Sequence, residues 1–177
     1  MKLSRRRFLA LGGGGLCAPF LLPRRSSAAA LEVIEMRGTS RGERIWFAPN
    51  GLAVSSGTVL RFLNRDPVNS HTTTAYHPDV YGRELRIPKR AKPWDSDFLL
   101  PGEHFDLVLN EPGVYDYYCI PHEMVGMVGR VVVGRPEDPG WEGPAEASED
   151  VAREVLMAFP PVEKILAAGR VDEGNAR

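Results

Sequence analysis

Cysteine is almost absent from this chain, and its scarcity excludes several classes of protein. Only Cys17 and Cys119 occur among 177 residues, and Cys17 lies close to the N-terminus in a segment with the character of a targeting signal. The rest of the chain therefore has no second thiol for an internal disulfide, and a structural zinc site would prefer more thiolates. A lone thiol is a buried packing residue, a reactive group or a metal ligand, and its neighbours decide between these roles.

Long hydrophobic runs are also missing, and the first 30 residues contain no acidic residue. The stretch Ser4-Arg5-Arg6-Arg7-Phe8-Leu9 matches the twin-arginine export signature. The weakly apolar residues 10–22 are too few to span a bilayer comfortably, and small residues follow at 26–30. We therefore predict a signal peptide at residues 1–30, export by the twin-arginine route, and a periplasmic or other extracytoplasmic mature form without stable membrane insertion. An uncleaved membrane anchor is the alternative.

The chain also lacks an excess of basic residues. Six of its 22 lysine and arginine residues fall within the first 30 positions, so the remainder is more acidic than the formal net charge of −1 suggests. Such a surface repels a phosphate backbone. We therefore expect no nucleic-acid partner.

What remains, over residues 31–134, is a series of short stretches with strand character. Residues 58–63 alternate in the manner of a strand, and turn pairs such as Pro101-Gly102 and Pro112-Gly113 separate such stretches. Many short strands at this spacing predict an all-β sandwich or barrel. Residues 77–97 interrupt the pattern with a long loop rich in proline and basic residues, and loops of this length are often functional.

Residues 135–177 differ in composition and predict an acidic linker followed by a short helical tail. Ser148 suits a helix cap, with acidic residues in the first turn after it. A Pro-Pro pair then separates this helix from a second one, predicted from Val162 to Ala168 and closed by Gly169. We expect the tail to pack on the sandwich or to contact a partner.

The segment Cys119-Ile120-Pro121-His122-Glu123-Met124-Val125-Gly126-Met127 carries the chemistry of the chain. A thiolate, an imidazole and a thioether on one tight loop are donors of a blue copper site, which needs two histidines and one cysteine in a plane with a weak axial methionine. The second histidine must come from elsewhere, and His71 is the best candidate because it follows a turn and precedes a strand. The predicted copper ligands are His71, Cys119, His122 and Met127.

Other potential donors have less favourable positions. Met124 is the competing thioether, but its place two residues after His122 suits a rim contact better. His77 and His104 are interpreted as surface residues, although His77 begins the unusual loop at residues 77–97.

On these residues the chain resembles the small cupredoxins, the type 1 blue copper proteins of the plastocyanin, pseudoazurin and halocyanin kind. Their ligand loop has Cys, two residues, His, four residues and Met, with Pro before the His and Gly before the Met, as residues 119–127 do. The stretches Pro101-Gly102-Glu103 and Pro112-Gly113-Val114-Tyr115 also resemble the family. The resemblance covers residues 31–134, with a gap at 77–94.

The resemblance implies a cupredoxin domain at residues 31–134 with a Greek-key β-sandwich fold and one type 1 copper ion. It also implies outer-sphere electron transfer rather than catalysis, transient protein redox partners and a monomeric state. Apolar residues around the exposed edge of His122 would form the electron port, and Tyr118 could offer a second route. A backbone N–H, that of Thr72, is expected to hydrogen-bond the sulfur of Cys119.

Two departures from the family pattern leave alternatives open. Thr72 stands where many relatives have an asparagine that ties the two ligand segments together. The insertion could cover the site, open a coordination position or dock a partner, so a copper enzyme or small-ligand site on the same fold is one alternative and a copper chaperone is another. A binuclear centre needs a second cysteine, and a trinuclear oxidase centre needs histidines on both sides of Cys119, so both are excluded.

Overall fold

A computed structural model describes residues 30–173, so the predicted signal peptide, apart from its last residue, lies outside the described residues. Within this range the chain forms β-strands and three short helices. The strands are β1 (Leu31–Gly38), β2 (Ile45–Ala48), β3 (Gly51–Val54), β4 (Val59–Asn64), β5 (Thr74–Ala75), β6 (His104–Val108), β7 (Gly113–Tyr118), β8 (Val128–Val133) and β9 (Arg170–Val171). The helices are a 3₁₀ helix (Ile120–Val125), α1 (Arg153–Leu156) and α2 (Val162–Ala168).

The strands form two sheets, with the orders β2-β1-β4-β6 and β5-β7-β8-β3-β9. The chain crosses repeatedly from one sheet to the other, and the pairs β1–β4 and β3–β8 are parallel while the remaining pairs are antiparallel. The predicted all-β sandwich with a short helical tail is therefore confirmed.

The core lies between the two sheets because alternate residues of the first sheet point inward. Leu60 and Phe62 of β4 are fully buried, while the alternating residues Val59, Arg61 and Leu63 are partly exposed. The rings of Phe47 and Phe62 meet that of Tyr117 edge-on, at centroid separations of 4.8 and 5.2 Å. Burial of each large apolar side chain stabilises the sandwich by roughly 1.5–3 kcal/mol.

The C-terminal tail covers the outer face of the second sheet. Helix α2 occupies the predicted residues and is followed by Gly169, and β9 adds an edge strand beside β3 that the sequence pattern did not indicate. Val162 and Ile165 of α2 pack with Val114 and Val132 of the sheet. Strands β7 and β8 are consequently buried at every residue rather than at every second one.

The start of the first tail helix differs from the prediction. Helix α1 begins at Arg153, not directly after Ser148. The hydroxyl of Ser148 instead accepts hydrogen bonds from the N–H groups of Asp150 and Val151, at 3.1 and 2.7 Å. Short polar side chains commonly stabilise turns in this way, so the residue shapes a turn ahead of the helix rather than its cap.

The insertion at residues 77–97 is irregular but attached to the second sheet. Arg86 is buried and donates to Asp116 of β7 at 3.1 Å, and Arg130 of β8 donates to the same carboxylate at 2.7 Å. Arg86 also donates to the carbonyl of Ala145, so its buried guanidinium connects the insertion with the sheet and the tail. Within residues 30–173, none of the helices combines the length and apolar character needed to cross a membrane.

Candidate metal centre

Two segments distant in sequence meet at one end of the sandwich. Strand β5 pairs with β7 so that Thr74 lies opposite Tyr118, which places the chain before β5 beside the chain after β7. His71 lies in the first of these segments and exchanges backbone hydrogen bonds with Leu99 at 3.1 and 2.8 Å. Cys119 directly follows β7 in the second segment.

His71, Cys119 and His122 converge there on one point. The two Nδ1 atoms lie 3.1 Å apart, and the Sγ of Cys119 lies 3.6 Å from that of His71 and 3.4 Å from that of His122. A point equidistant from these three atoms is about 2.0 Å from each, close to the roughly 2.0 to 2.3 Å of metal–imidazole and metal–thiolate bonds. Within residues 30–173 these three residues are the one His, Cys, Asp and Glu group whose geometry suits a metal ion.

Met127 closes the loop that carries Cys119 and His122. The N–H of Cys119 donates to the carbonyl of Met127 at 3.0 Å, and the N–H of Met127 donates to the carbonyl of His122 at 3.1 Å. Gly126 has a φ of 83°, a left-handed conformation that favours glycine, and it reverses the chain after the 3₁₀ helix. Met127 is fully buried whereas Met124 is 74% exposed, so the competing thioether lies on the surface.

The thiol of Cys119 is enclosed by protein. Burial raises its pKa to about 11, although a hydrogen bond from the N–H of Thr72 at 3.3 Å acts in the opposite direction. The expected bond from Thr72 to the sulfur is thus present. A thiol with this pKa is a poor nucleophile at neutral pH, whereas a bound metal ion would displace its proton.

Thr72, which stands where many cupredoxins have an asparagine, still connects the segment of His71 with that of Cys119. The hydroxyl of Thr72 accepts a hydrogen bond from the N–H of Ile120 at 2.9 Å, and it also lies 3.0 Å from the hydroxyl of Thr74. Thr72 therefore contacts the second segment through both its backbone and its side chain.

Asp66 is a buried member of the site that no sequence motif indicated. Its Oδ2 lies 2.9 Å from Nε2 of His71, and both side chains are fully buried. Burial alone would raise the pKa of Asp66, but hydrogen bonds from Asn69, Val68 and His71 lower it to about 2. An aspartate five residues before a candidate ligand was the available signal, but the sequence does not show that this aspartate is buried.

The pKa values of both imidazoles are lowered. Burial lowers the pKa of His71, against the opposing effect of Asp66, and burial together with the neighbouring His71 lowers the pKa of His122. Metal binding requires unprotonated imidazole nitrogen, so the protein environment favours the ligating form.

The other two histidines of the chain take no part in this group. His77 accepts a hydrogen bond at Nδ1 from the N–H of Asp79 at 3.1 Å, and His104 is an exposed residue of β6. Their interpretation as residues outside the ligand group agrees with these positions.

Comparison with known proteins identifies the family. The family model for copper binding proteins of the plastocyanin/azurin family matches residues 34–134. The chain belongs to this family. This assignment confirms the expected copper cofactor.

Individual relatives agree with the family model. A chloroplastic plastocyanin of Silene latifolia subsp. alba is 32% identical over 107 residues, which are 60% of this chain and 62% of that protein. A chloroplastic plastocyanin of Pisum sativum is 32% identical over 108 residues, 61% of each chain. The chain thus spans about three fifths of the length of these relatives.

Solved structures show the same fold. A pseudoazurin from Sinorhizobium has a TM-score of 0.55 at 22% identity, with 79% of this chain and 98% of that one covered. Pseudoazurin from Methylobacterium extorquens AM1 has a TM-score of 0.51 at 20% identity, with 78% and 96% covered.

In this plastocyanin/azurin family member, one side of the ligand loop is open. His122 is partly exposed, and the adjacent Met124 and Val125 are 74% and 71% exposed. These residues and Pro121 line a groove whose far walls come from the β1–β2 turn and from α1 with the residues after it. The apolar surface expected around His122 is therefore present.

The other side of the ligand loop is covered by the insertion and the tail. Arg83 donates two hydrogen bonds to Glu123 of the 3₁₀ helix, at 2.9 and 2.8 Å, and one to Asp150 at 2.8 Å. Its guanidinium also lies over the rings of Tyr76 and Tyr118, 4.9 and 4.7 Å from their centroids. Tyr118 is only 3% exposed, so the side chain considered as a second electron route is covered.

Proposed function

We propose that this protein is a type 1 copper electron carrier, in which His71, Cys119, His122 and Met127 would hold the ion. The convergence of two Nδ1 atoms and one Sγ within 3.6 Å of one another carries the proposal. Copper bound there would supply the one-electron Cu(I)/Cu(II) couple, since this donor set serves both oxidation states.

The role of the chain is to hold its donors in place before and after the electron moves. Thr72 fixes the sulfur through its N–H, and the loop hydrogen bonds of Cys119 and Met127 fix the thioether segment. Burial excludes water from His71, Cys119 and Met127. A site held in this way reorganises little, which favours rapid electron transfer.

The exposed edge of His122 is the proposed point of entry and exit for electrons. The apolar residues around it suit small, transient contacts with protein redox partners rather than a permanent complex. We propose that the carrier works as a monomer outside the cytoplasm after export by the twin-arginine route. Replacement of Arg5 and Arg6 together by lysine should retain the protein in the cytoplasm.

Absorption spectroscopy of the copper-loaded protein tests the function. We expect an intense visible band from the copper–thiolate bond that a reductant bleaches reversibly. Cys119→Ala should abolish the band, and Met127→Leu should retain it with an altered reduction potential. Met124→Leu is the matched control, because an exposed thioether should affect neither property.

Other outcomes would overturn the assignment. A blue band that persists in Cys119→Ala would exclude the proposed thiolate ligand. A colourless protein that passes Cu(I) to an acceptor would indicate a chaperone, and a coloured protein that binds nitric oxide or peroxide would indicate an open enzyme site.

A further inference from the structure

We propose that Asp66 is a positioning residue for the copper site, which keeps the proton of His71 on Nε2 and adds a negative charge that favours oxidised copper. The effect on oxidised copper rests on the proposed function, whereas the position of the His71 proton concerns the metal-free chain.

The carboxylate of Asp66 is surrounded by donors. Its Oδ1 accepts hydrogen bonds from the N–H groups of Val68 and Asn69, at 2.8 and 3.1 Å. Its Oδ2 accepts one from the side-chain amide of Asn69 at 3.0 Å and lies 2.9 Å from Nε2 of His71. An ionised carboxylate can only accept, so Nε2 must carry the hydrogen and Nδ1 keeps its lone pair for the metal.

The two oxygens of Asp66 have different tasks. The bonds to Oδ1 stabilise the turn at residues 66–69, as an aspartate in any turn could do. The contact of Oδ2 with His71 spans five residues, so the turn does not require it. Gly38 leaves room for this oxygen, because a Cβ at that position would overlap Oδ2.

Neighbouring asparagines brace the same arrangement. Asn64 is fully buried, accepts the N–H of Asp66 at 2.9 Å and donates to the carbonyls of Asn69 and Leu99, at 2.9 and 2.8 Å. Leu99 in turn pairs with the backbone of His71. The imidazole of His71 is thus fixed by its main chain and by its distal nitrogen.

The arrangement applies to only one of the two histidines. Within residues 30–173, His122 has no carboxylate as a hydrogen-bond partner, and its ring is partly exposed. The negative charge therefore acts on the buried side of the site. A fixed anion near the metal stabilises the higher positive charge more, so it favours Cu(II) over Cu(I) and lowers the reduction potential.

The first experiment uses the full metal-free chain and needs no copper. Nitrogen-15 NMR of the histidine rings should show His71 protonated at Nε2 in the wild type and a shift toward the Nδ1–H form in Asp66→Asn. The amide introduced by this substitution would turn an N–H toward Nε2, because its oxygen is needed by the turn. A wild-type His71 protonated at Nδ1 would overturn the proposal without recourse to any variant.

The second experiment measures metal affinity and reduction potential. Asp66→Asn should weaken Cu(II) binding by about 10- to 100-fold and Cu(I) binding by less. The affinity for zinc, a redox-inert probe, should fall as much as that for Cu(II). Each tenfold difference between the two copper states raises the potential by about 59 mV. Asn69→Ala is the matched control, since it removes a neighbouring hydrogen bond to Oδ2 but leaves the contact between Asp66 and His71.

The outcomes separate this proposal from the proposed function. A blue wild type whose His71 tautomer and potential are the same in Asp66→Asn would refute the positioning role alone. Equal shifts in Asn69→Ala and Asp66→Asn would show that the loss of any hydrogen bond at Asp66 has the same effect, and would also refute it. A wild type that forms no blue site would refute the electron carrier and leave the tautomer result standing.

Discussion

The two histidines at the metal centre lie in contrasting surroundings. His71 is fully buried, and its distal nitrogen faces a carboxylate that is itself held by three further hydrogen bonds. His122 is partly exposed beside Met124 and Val125. In the proposed electron carrier, this contrast would let the buried side set the properties of the metal while the exposed side passes the electron.

The largest test of this contrast removes each imidazole in turn. His71→Gly and His122→Gly should both lose the visible copper–thiolate band. Added imidazole should restore it in His122→Gly, because the space left behind opens to solvent, but not in His71→Gly. His71→Gly should also unfold more easily, by about 1–3 kcal/mol, because it leaves a buried carboxylate short of a donor.

Absorption titration with imidazole and denaturant unfolding measure the two effects. Rescue of both variants at similar imidazole concentrations would show that the two sides are equally accessible. The contrast between them would then be lost.

A second comparison concerns the two sides of the ligand loop, one open and one clamped by Arg83. Arg83→Ala should destabilise the fold by about 2 kcal/mol, because Glu123 loses a two-pronged partner in a largely buried setting. The visible spectrum should change little, since Arg83 contacts no ligand. Arg83→Lys should recover only part of the stability, because lysine lacks the planar fork of donors.

The effect of pH on the stability difference between wild type and Arg83→Ala tests whether the contacts of Arg83 stabilise the fold through charge. Burial alone would raise the pKa of Asp150, but hydrogen bonds from the N–H of Glu84 and from Arg83 lower it overall. The stabilisation from this ion pair is therefore complete above the ordinary pKa and is lost as the pH falls through the lowered one. The difference in the free energy of unfolding between wild type and Arg83→Ala should therefore narrow in acid. A difference that stays constant would argue against stabilisation by charge.

The smallest expected effect tests the open side. Met124→Lys should slow electron self-exchange of the copper-loaded protein by about tenfold, or about 1.4 kcal/mol, because it places a charge on each of two faces that must meet. Stability should stay within about 0.5 kcal/mol. NMR line broadening in mixtures of oxidised and reduced protein measures the rate.

Val108→Lys provides the matched control for this rim variant. Val108 is a 45% exposed apolar residue on β6, in the first sheet rather than on the ligand loop. Equal slowing in both variants would show a general charge effect and would remove the special role of the His122 edge.

Local features of the site were predictable because they depend on short spacings. Cys119, His122 and Met127 share a nine-residue segment, so a tight loop was enough to predict that they lie close together. The choice of His71 rested on its place between a turn and a strand, and the resemblance to cupredoxins agreed with it. Helix α2 was likewise predicted at its observed residues, since Pro161 and Gly169 mark its two ends.

Features that depend on distant contacts were not predictable in the same way. The predicted start of α1 was wrong because Ser148, although a residue type typical of helix caps, stabilises a turn ahead of the helix. Strand β9 has only two residues and exists because β3 offers it an edge. The cover over Tyr118 depends on Arg83, which lies in an irregular loop without a periodic pattern.

Residue order alone therefore determined which atoms could bind a metal and which stretches could be strands, because donor type, local spacing and alternation are properties of neighbouring residues. Tertiary structure decided the burial and the hydrogen-bond partners of those atoms. The contact of Asp66 with His71, the burial of the thiol and the clamp on Glu123 arise only when the two sheets, the insertion and the tail pack together. Burial and the direction of a hydrogen bond are set by that packing, and neither is encoded in any short stretch of sequence.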